Sequence, residues 1–184
     1  MVKAKEHLTM EGLQNIVSNK ASINFGLTDE LKAAFPNTIP ALKSLAVNTK
    51  IPHSYWMAGF TTGDGCFAVT ESKSSSRINV RLSFSISQHS KDESLIRSMV
   101  DFFDCGSYIP SSLNRNTLSF QCYTFSDNYE KIIPFFREYN IKGEKLKDFN
   151  DWCKIAEIIK TKDHLTKKGF DQIYQIKSGM NKGR

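Results

Sequence analysis

Between positions 77 and 89 the chain alternates without a break. Ile78, Val80, Leu82, Phe84 and Ile86 fall on one side, and Asn79, Arg81, Ser83, Ser85 and Ser87 on the other. Successive side chains of a strand point to opposite faces, so this stretch predicts a strand with one buried and one polar face. Residues 65–73 alternate in the same way and predict its neighbour. Ahead of them, residues 53–64 carry Tyr55, Trp56, Met57 and Phe60 among small residues, the pattern of a buried helix. Ser90-Lys91-Asp92-Glu93 has the spacing of a capping box, opening a helix on which Leu95, Met99 and Phe102 recur. A second strand pair is predicted at about 106–112 and 117–125, joined through Asn114-Arg115-Asn116. Tyr129, Ile132, Ile133 and Phe136 mark a further helix, and Phe149, Trp152, Cys153, Ala156 and Ile159 a longer one. Strand pairs alternating with helices, each sheet apolar on one side, predict an α+β layer with helices on the buried face and a wet opposite face.

A repeat changes how the rest of the chain reads. Shifted by 157 positions, His7-Leu8-Thr9, Gly12, Ile16, Lys20 and Asn24 fall on His164-Leu165-Thr166, Gly169, Ile173, Lys177 and Asn181. Such self-similarity marks a duplicated unit. Residues 1–24 are therefore expected to be the closing helix of a preceding repeat, residues 25–52 a connector, and 53–184 one folded domain. Thr28 is placed to cap a short helix through Phe35, with Pro36, Pro40 and Pro52 punctuating the remainder. A length of 184 residues with 40% hydrophobic and 24% charged composition fits one core with an appendage.

The formal charge is +6, and residues 142–184 hold eleven basic against six acidic side chains. This points toward a polyanionic partner. No apolar run approaches the ~20 residues of a membrane span, and the first residues lack a signal peptide's apolar stretch. Cys66, Cys105, Cys122 and Cys153 form no Cys-x-x-Cys pair, so neither a zinc site nor a disulfide framework is indicated. Gly59 and Gly63, four apart on the predicted helix with Ala58 and Thr62 beside them, make a stripe nearly without side chains that lets another helix approach closely. Asp64 then ends that helix, where a carboxylate opposes the helix dipole. A divalent cation with hard oxygen ligands would relieve that conflict, and would also relieve repulsion between two such carboxylates.

Met57-Ala58-Gly59-Phe60-Thr61-Thr62-Gly63-Asp64-Gly65 closely resembles the LAGLIDADG motif of the homing endonucleases, with Thr62 departing at the first acidic position. Gly65-Cys66-Phe67-x-Val69 and Gly143-x-Lys145-x-x-Asp148-Phe149-x-x-Trp152-Cys153-Lys154 extend the resemblance to the second half of fungal mitochondrial, intron-encoded two-motif members. The resemblance implies an αββαββα half-domain with extra C-terminal helices and a saddle-shaped polar sheet face. It implies site-specific cleavage of double-stranded DNA, dependent on a divalent metal such as Mg²⁺, and mitochondrial residence. By the same resemblance Asp64, with Gly63, belongs to the metal site, Gln88 helps position metal-bound water, and Lys145 lies near the scissile phosphate. Ala58, Gly59, Thr62 and Gly63 would form the interface with a second half, in a homodimer or with a separate N-terminal half.

Two-stranded ribbons fit the major groove. The polar face would thus place Cys66, Ala68, Thr70, Ser72, Arg81, Ser83, Ser85 and Ser87 on DNA, with Ser119, Gln121 and Tyr123 from the second ribbon and Lys73 and Arg77 at the hairpin. The alternative expectation is a nucleic-acid-binding protein that does not cleave, such as a splicing maturase or an RNA-binding structural subunit.

Overall fold

The structure, a computed structural model, describes residues 5–42, 50–74, 77–110 and 116–181, without the side chains of 72–78. Ser72, Lys73 and Arg77 thus lie outside the described side chains, as do Asn114 and Arg115 of the expected second turn. The chain divides into two compact units, Met1–Asn48 and Thr49–Arg184, a boundary inside the expected connector.

The first unit holds a 3-10 turn Glu6–Leu8, helix α1 (Met10–Ser22) and the short α2 (Asp29–Ala34). Thr28 caps α2 by accepting from the Leu31 N–H, and the Ser18 hydroxyl donates to the Ile39 carbonyl at 2.6 Å, tying the following segment to α1.

In the second unit α3 (Ser54–Asp64) leads directly into β1 (Gly65–Ser74), followed by β2 (Arg77–His89), α4 (Glu93–Phe103), β3 (Ser107–Ile109) and β4 (Thr117–Cys122). A helical stretch comes next, built from α5 (Phe125–Asp127), a π turn Asn128–Ile132 and α6 (Ile133–Glu138). Two further helices follow, α7 (Glu144–Lys160) and α8 (Lys167–Ser178). All strand pairings are antiparallel, in the order β1-β2-β4-β3.

The predicted apolar set of β2 is inward: Val80, Leu82, Phe84 and Ile86 are buried beside Phe67 and Val69 of β1 and Leu118, Phe120 and Cys122 of β4. Phe67 is the hub, with ring centroids 5.0 Å from Phe84, 5.6 Å from Phe136, 5.1 Å from Phe149 and 5.2 Å from Trp152. Ile96, Met99 and Phe103 of α4 pack into the same core. The helices therefore cover one sheet face, as the alternation required. The free edge of β1 is covered too. Lys145 Nζ donates to the Gly65 carbonyl and Asn181 Nδ2 to that of Phe67 (3.1 Å), both on one edge, which shields it from stray pairing, while Trp152 Nε1 donates to the Ala68 carbonyl (3.1 Å).

Two local expectations are corrected. Ser90 does not form a capping box: it opens a 3-10 turn, Ser90–Asp92, capped by His89, whose Nδ1 accepts from the Lys91 N–H. The helix at Tyr129–Phe136 is interrupted by the π turn, which carries Asn128 inward. There its amide donates to the carbonyls of Leu82 (3.4 Å) and Cys122 (3.2 Å), closing the ladder where β4 ends.

The repeat seen in the sequence is one local geometry used twice. Thr9 and Thr166 each donate to a carbonyl three residues back at 2.8 Å and accept from the N–H of Gly12 or Gly169 at 3.0 Å. A Cβ at Gly12 would stand 1.8 Å from the Glu6 carbonyl oxygen, and one at Gly169 2.1 Å from that of Asp163, so both copies need glycine. The copies differ in what covers them. Phe170, Ile173 and Met180 join the core, whereas their counterparts Leu13, Ile16 and Ile23 are 38%, 40% and 53% exposed.

Candidate nucleic-acid interface and active site

The end of α3 is set by Gly65. Its N–H donates to the Thr61 carbonyl and the chain then turns directly into the extended conformation of β1. A Cβ there would stand 2.6 Å from that carbonyl oxygen, so a side chain would push the helix off the strand. Asp64 is thereby delivered as the last helical residue, exposed, at the negative end of the helix dipole.

Gln88 reaches it from β2. Its position in the alternation is that of Ile86, so it emerges on the helix-covered side, at the strand end, and its Nε2 donates to Asp64 Oδ2 at 2.8 Å. Lys145, in the first turn of α7, contributes the bond to the Gly65 carbonyl, and the Lys142 N–H donates to Thr62 Oγ1 at 3.3 Å. Three residues from three separate elements thus meet at the α3–β1 junction. An open cleft beside it is lined by Thr62, Cys66, Lys142, Glu144, Lys145 and Asp148.

Asp64 offers hard carboxylate oxygens where the last carbonyls of α3, Gly63 among them, lack helical partners. That donor chemistry suits Mg²⁺ or Ca²⁺. Among the described residues no group of three or more His, Cys, Asp or Glu is assembled. A hard cation takes about six oxygen ligands, so the chain fits as one contributor to a shared site.

The stripe on α3 is open. Gly59 and Gly63 are exposed, and a Cβ on either would meet nothing within 4 Å. Thr62 is half-buried with its hydroxyl donating to the Ala58 carbonyl at 2.8 Å, and Ala58 itself is covered by its own chain. Trp56 stacks on Phe60 at 5.0 Å on the same helix.

The pairing register aligns the polar face in rungs: Cys66–Ser85–Gln121–Ser107, Ser87–Ser119–Ile109 and Thr70–Arg81. Thr70, Arg81, Ser87 and Tyr123 are exposed, and Cys66, Ala68, Ser85 and Gln121 half-buried. Ser83 and Ser119 are buried, with hydroxyls engaged inside the protein on the Ala68 carbonyl and the Gln121 amide. Ser107 and Ile109 share this face and were missed: a strand was expected at 106–112, but three paired residues show too little alternation to tell which side chains face outward. Among the described residues no helix is long and apolar enough to cross a membrane.

A profile described as LAGLIDADG endonuclease matches residues 57–156. Probable intron-encoded endonuclease 2 of Neurospora crassa is 38% identical over 185 residues, covering 95% of this chain and 40% of the relative. Probable intron-encoded endonuclease 3 of the same fungus is 35% identical over 176 residues, covering 94% of this chain and 33% of the relative. Among solved structures, the I-SmaMI LAGLIDADG homing endonuclease bound to cleaved DNA superposes with a TM-score of 0.84 at 45% identity, covering 100% of this chain and 62% of that one. I-GzeII in complex with its DNA target superposes with a TM-score of 0.85 at 44% identity, covering 100% and 64%. I-SmaMI has also been seen on uncleaved DNA in the presence of calcium ions. The chain spans less than two thirds of each of these relatives.

Proposed function

Since the chain belongs to the LAGLIDADG endonuclease family, we propose that it is one half of a site-specific homing endonuclease that hydrolyses both strands of duplex DNA with a divalent cation, Mg²⁺ in the cell. The observation that carries this reading is the meeting of Asp64, Gln88 and Lys145 at the exposed end of α3, between the polar sheet face and the open glycine stripe. Relatives described as intron-encoded endonucleases support the same activity, and with it mitochondrial residence.

In this reading Asp64, with the Gly63 carbonyl, would hold the cation, whose chemistry there would be to stabilise negative charge on a phosphate. Gln88 fixes the rotation of the Asp64 carboxylate through its amide bond. Lys145 supplies a positive charge beside the scissile phosphate, and its bond to the Gly65 carbonyl keeps the ammonium at the junction. The polar face of β1, β2 and β4 lies in the major groove.

One chain brings one carboxylate, so cleavage requires a second half packed on Gly59 and Gly63, either another copy or a separate N-terminal half. The repeat supports the latter. The exposed face of α1 and its end carries Leu13, Ile16 and Ile23 where α8 and its end bury Ile173 and Met180 and pack Phe170 against the core, which fits α1 as the closing helix of another repeat of this fold.

The test is cleavage of a randomised duplex library with Mg²⁺ by the full chain, alone and with the N-terminal half of the Neurospora relative, beside Asp64→Asn. Specific cuts lost in that variant are expected. Tight RNA binding without cuts would overturn the reading in favour of a non-cleaving binding protein.

A further inference from the structure

Within the polar face, one side chain is held differently from its neighbours. Gln121 Nε2 donates to Ser119 Oγ at 2.9 Å, and the Tyr123 hydroxyl donates to Gln121 Oε1. Ser119 lies two residues before Gln121 on the same face of β4, and Tyr123, one residue past the end of the strand that was expected to run to 125, flanks Gln121 from the other side. The Arg81 guanidinium lies over the Tyr123 ring, 5.9 Å from its centroid. Across the sheet the rung runs Cys66–Ser85–Gln121–Ser107, so Gln121 has shorter side chains on either side and is the longest group in its row.

An amide has two N–H donors and two carbonyl lone pairs. The flanking hydroxyls use one of each, from the two sides along the strand. The edge pointing away from the sheet keeps one donor and one acceptor side by side. Both hydroxyls can donate or accept, so turning the amide over would exchange the two flanks and leave the same mixed edge. In the major groove adenine alone offers a matching pair on one base, the N7 acceptor beside the N6 donor. Guanine offers two acceptors, thymine an acceptor and a methyl group, and cytosine a donor.

We propose that Gln121 reads an adenine in the major groove, and that Tyr123 and Ser119 are positioning residues that hold its amide edge-on to the base. This rests on the DNA reading of the polar face and adds a base identity to it. The other hydroxyls of the face, on Thr70, Ser85, Ser87 and Ser107, each donate or accept and discriminate poorly. A braced amide therefore gives this rung a preference that its neighbours lack.

The test is selection of bound duplexes from a randomised library by the full chain, repeated with Gln121→Ala, Tyr123→Phe and Ser119→Ala, with thermal melting of each variant to confirm folding. Wild type is expected to select adenine at one position that Gln121→Ala flattens. Tyr123→Phe keeps the ring under Arg81 and removes only the hydroxyl. It is expected to relax adenine preference at that position roughly tenfold, with the other positions unchanged, and Ser119→Ala to do the same. A uniform loss of affinity without a change of preference, as a merely structural role would give, overturns the assignment. So does a Gln121→Ala motif identical to wild type, or one flattened at a position that preferred another base. Failure of wild type to select any duplex sequence overturns the DNA reading itself, and this assignment with it.

Discussion

Asp64 and Gln88 are bonded side chain to side chain, which makes their substitutions separable. Asp64→Asn preserves shape and leaves an oxygen for the Gln88 amide, but removes the only charge the pair brings to a cation. Cleavage by the assembled enzyme is expected to fall below detection while DNA affinity changes only a few fold, read by nicking assay and by fluorescence anisotropy. Gln88→Ala leaves the carboxylate in place and unsteered. Removing a group that orients a metal ligand typically lowers activity or metal affinity about 10- to 100-fold, so the variant should cleave, slowly, with a raised Mg²⁺ requirement. The sequence exposed Asp64 through its neighbours, since a Gly-Asp-Gly run at a helix end asks why an acid sits against the dipole. Gln88 was legible only through resemblance. Counting along β2 puts it on the apolar side, where an amide has no partner in the strand pattern and finds one only because α3 ends beside it. Lys145 too was legible only through resemblance, being one lysine among many by composition, and the fold brings it to the Gly65 carbonyl.

At the scale of the element, the glycines of α3 and the glycine of α8 should respond to alanine with opposite signs. Gly59 and Gly63 face open space, so alanine there meets nothing and gains roughly 0.5–1 kcal/mol of helix stability. Gly59→Ala and Gly63→Ala are expected to raise the melting temperature by about 1–4 °C while weakening association with a second half, read by sedimentation and by cleavage. Gly169→Ala places a methyl group 2.1 Å from a backbone oxygen that the Thr166 cap holds in place. Overpacking of this kind costs typically 1–3 kcal/mol, and the melting temperature should drop with no change in the sequence preference of the folded fraction. These contrasts show where elements were readable. Long alternation gave β1 and β2 to within a residue, because Phe67 and Val69 of β1 and Val80, Leu82, Phe84 and Ile86 of β2 are buried on one face. The strand pair expected at 106–112 and 117–125 is present but shorter, as β3 (Ser107–Ile109) and β4 (Thr117–Cys122). The π turn at Asn128 and the His89 cap were not readable. Each is fixed by a tertiary contact, such as the Asn128 amide on the open end of the ladder, and not by a local period.

Across the whole molecule the net charge of +6 understates how unevenly cations are available. Lys147, Lys154 and Lys177 lie 2.9, 2.8 and 3.3 Å from Glu144, Asp151 and Glu71, and Lys160 Nζ lies 4.4 Å over the Tyr129 ring. Such pairs contribute little to a distant phosphate. Lys142 differs: it is exposed on the cleft that also holds Cys66 of the polar face and Lys145 of the site, and its own N–H anchors the loop to Thr62. A lysine on a phosphate adds affinity without sequence information and contributes about one unit to the slope of log affinity against log salt. Lys142→Ala is therefore expected to weaken binding to all duplexes alike and to flatten that slope by about one, with the selected motif unchanged. Lys154→Ala, which removes a partner of Asp151, should leave the slope where it was. If both variants flatten the slope equally, attraction comes from total charge alone and the cleft has no privileged place in DNA binding. If only Lys142→Ala does, the backbone passes over the α3–α7 junction, which is where the proposed roles of Asp64 and Lys145 require a phosphate to lie.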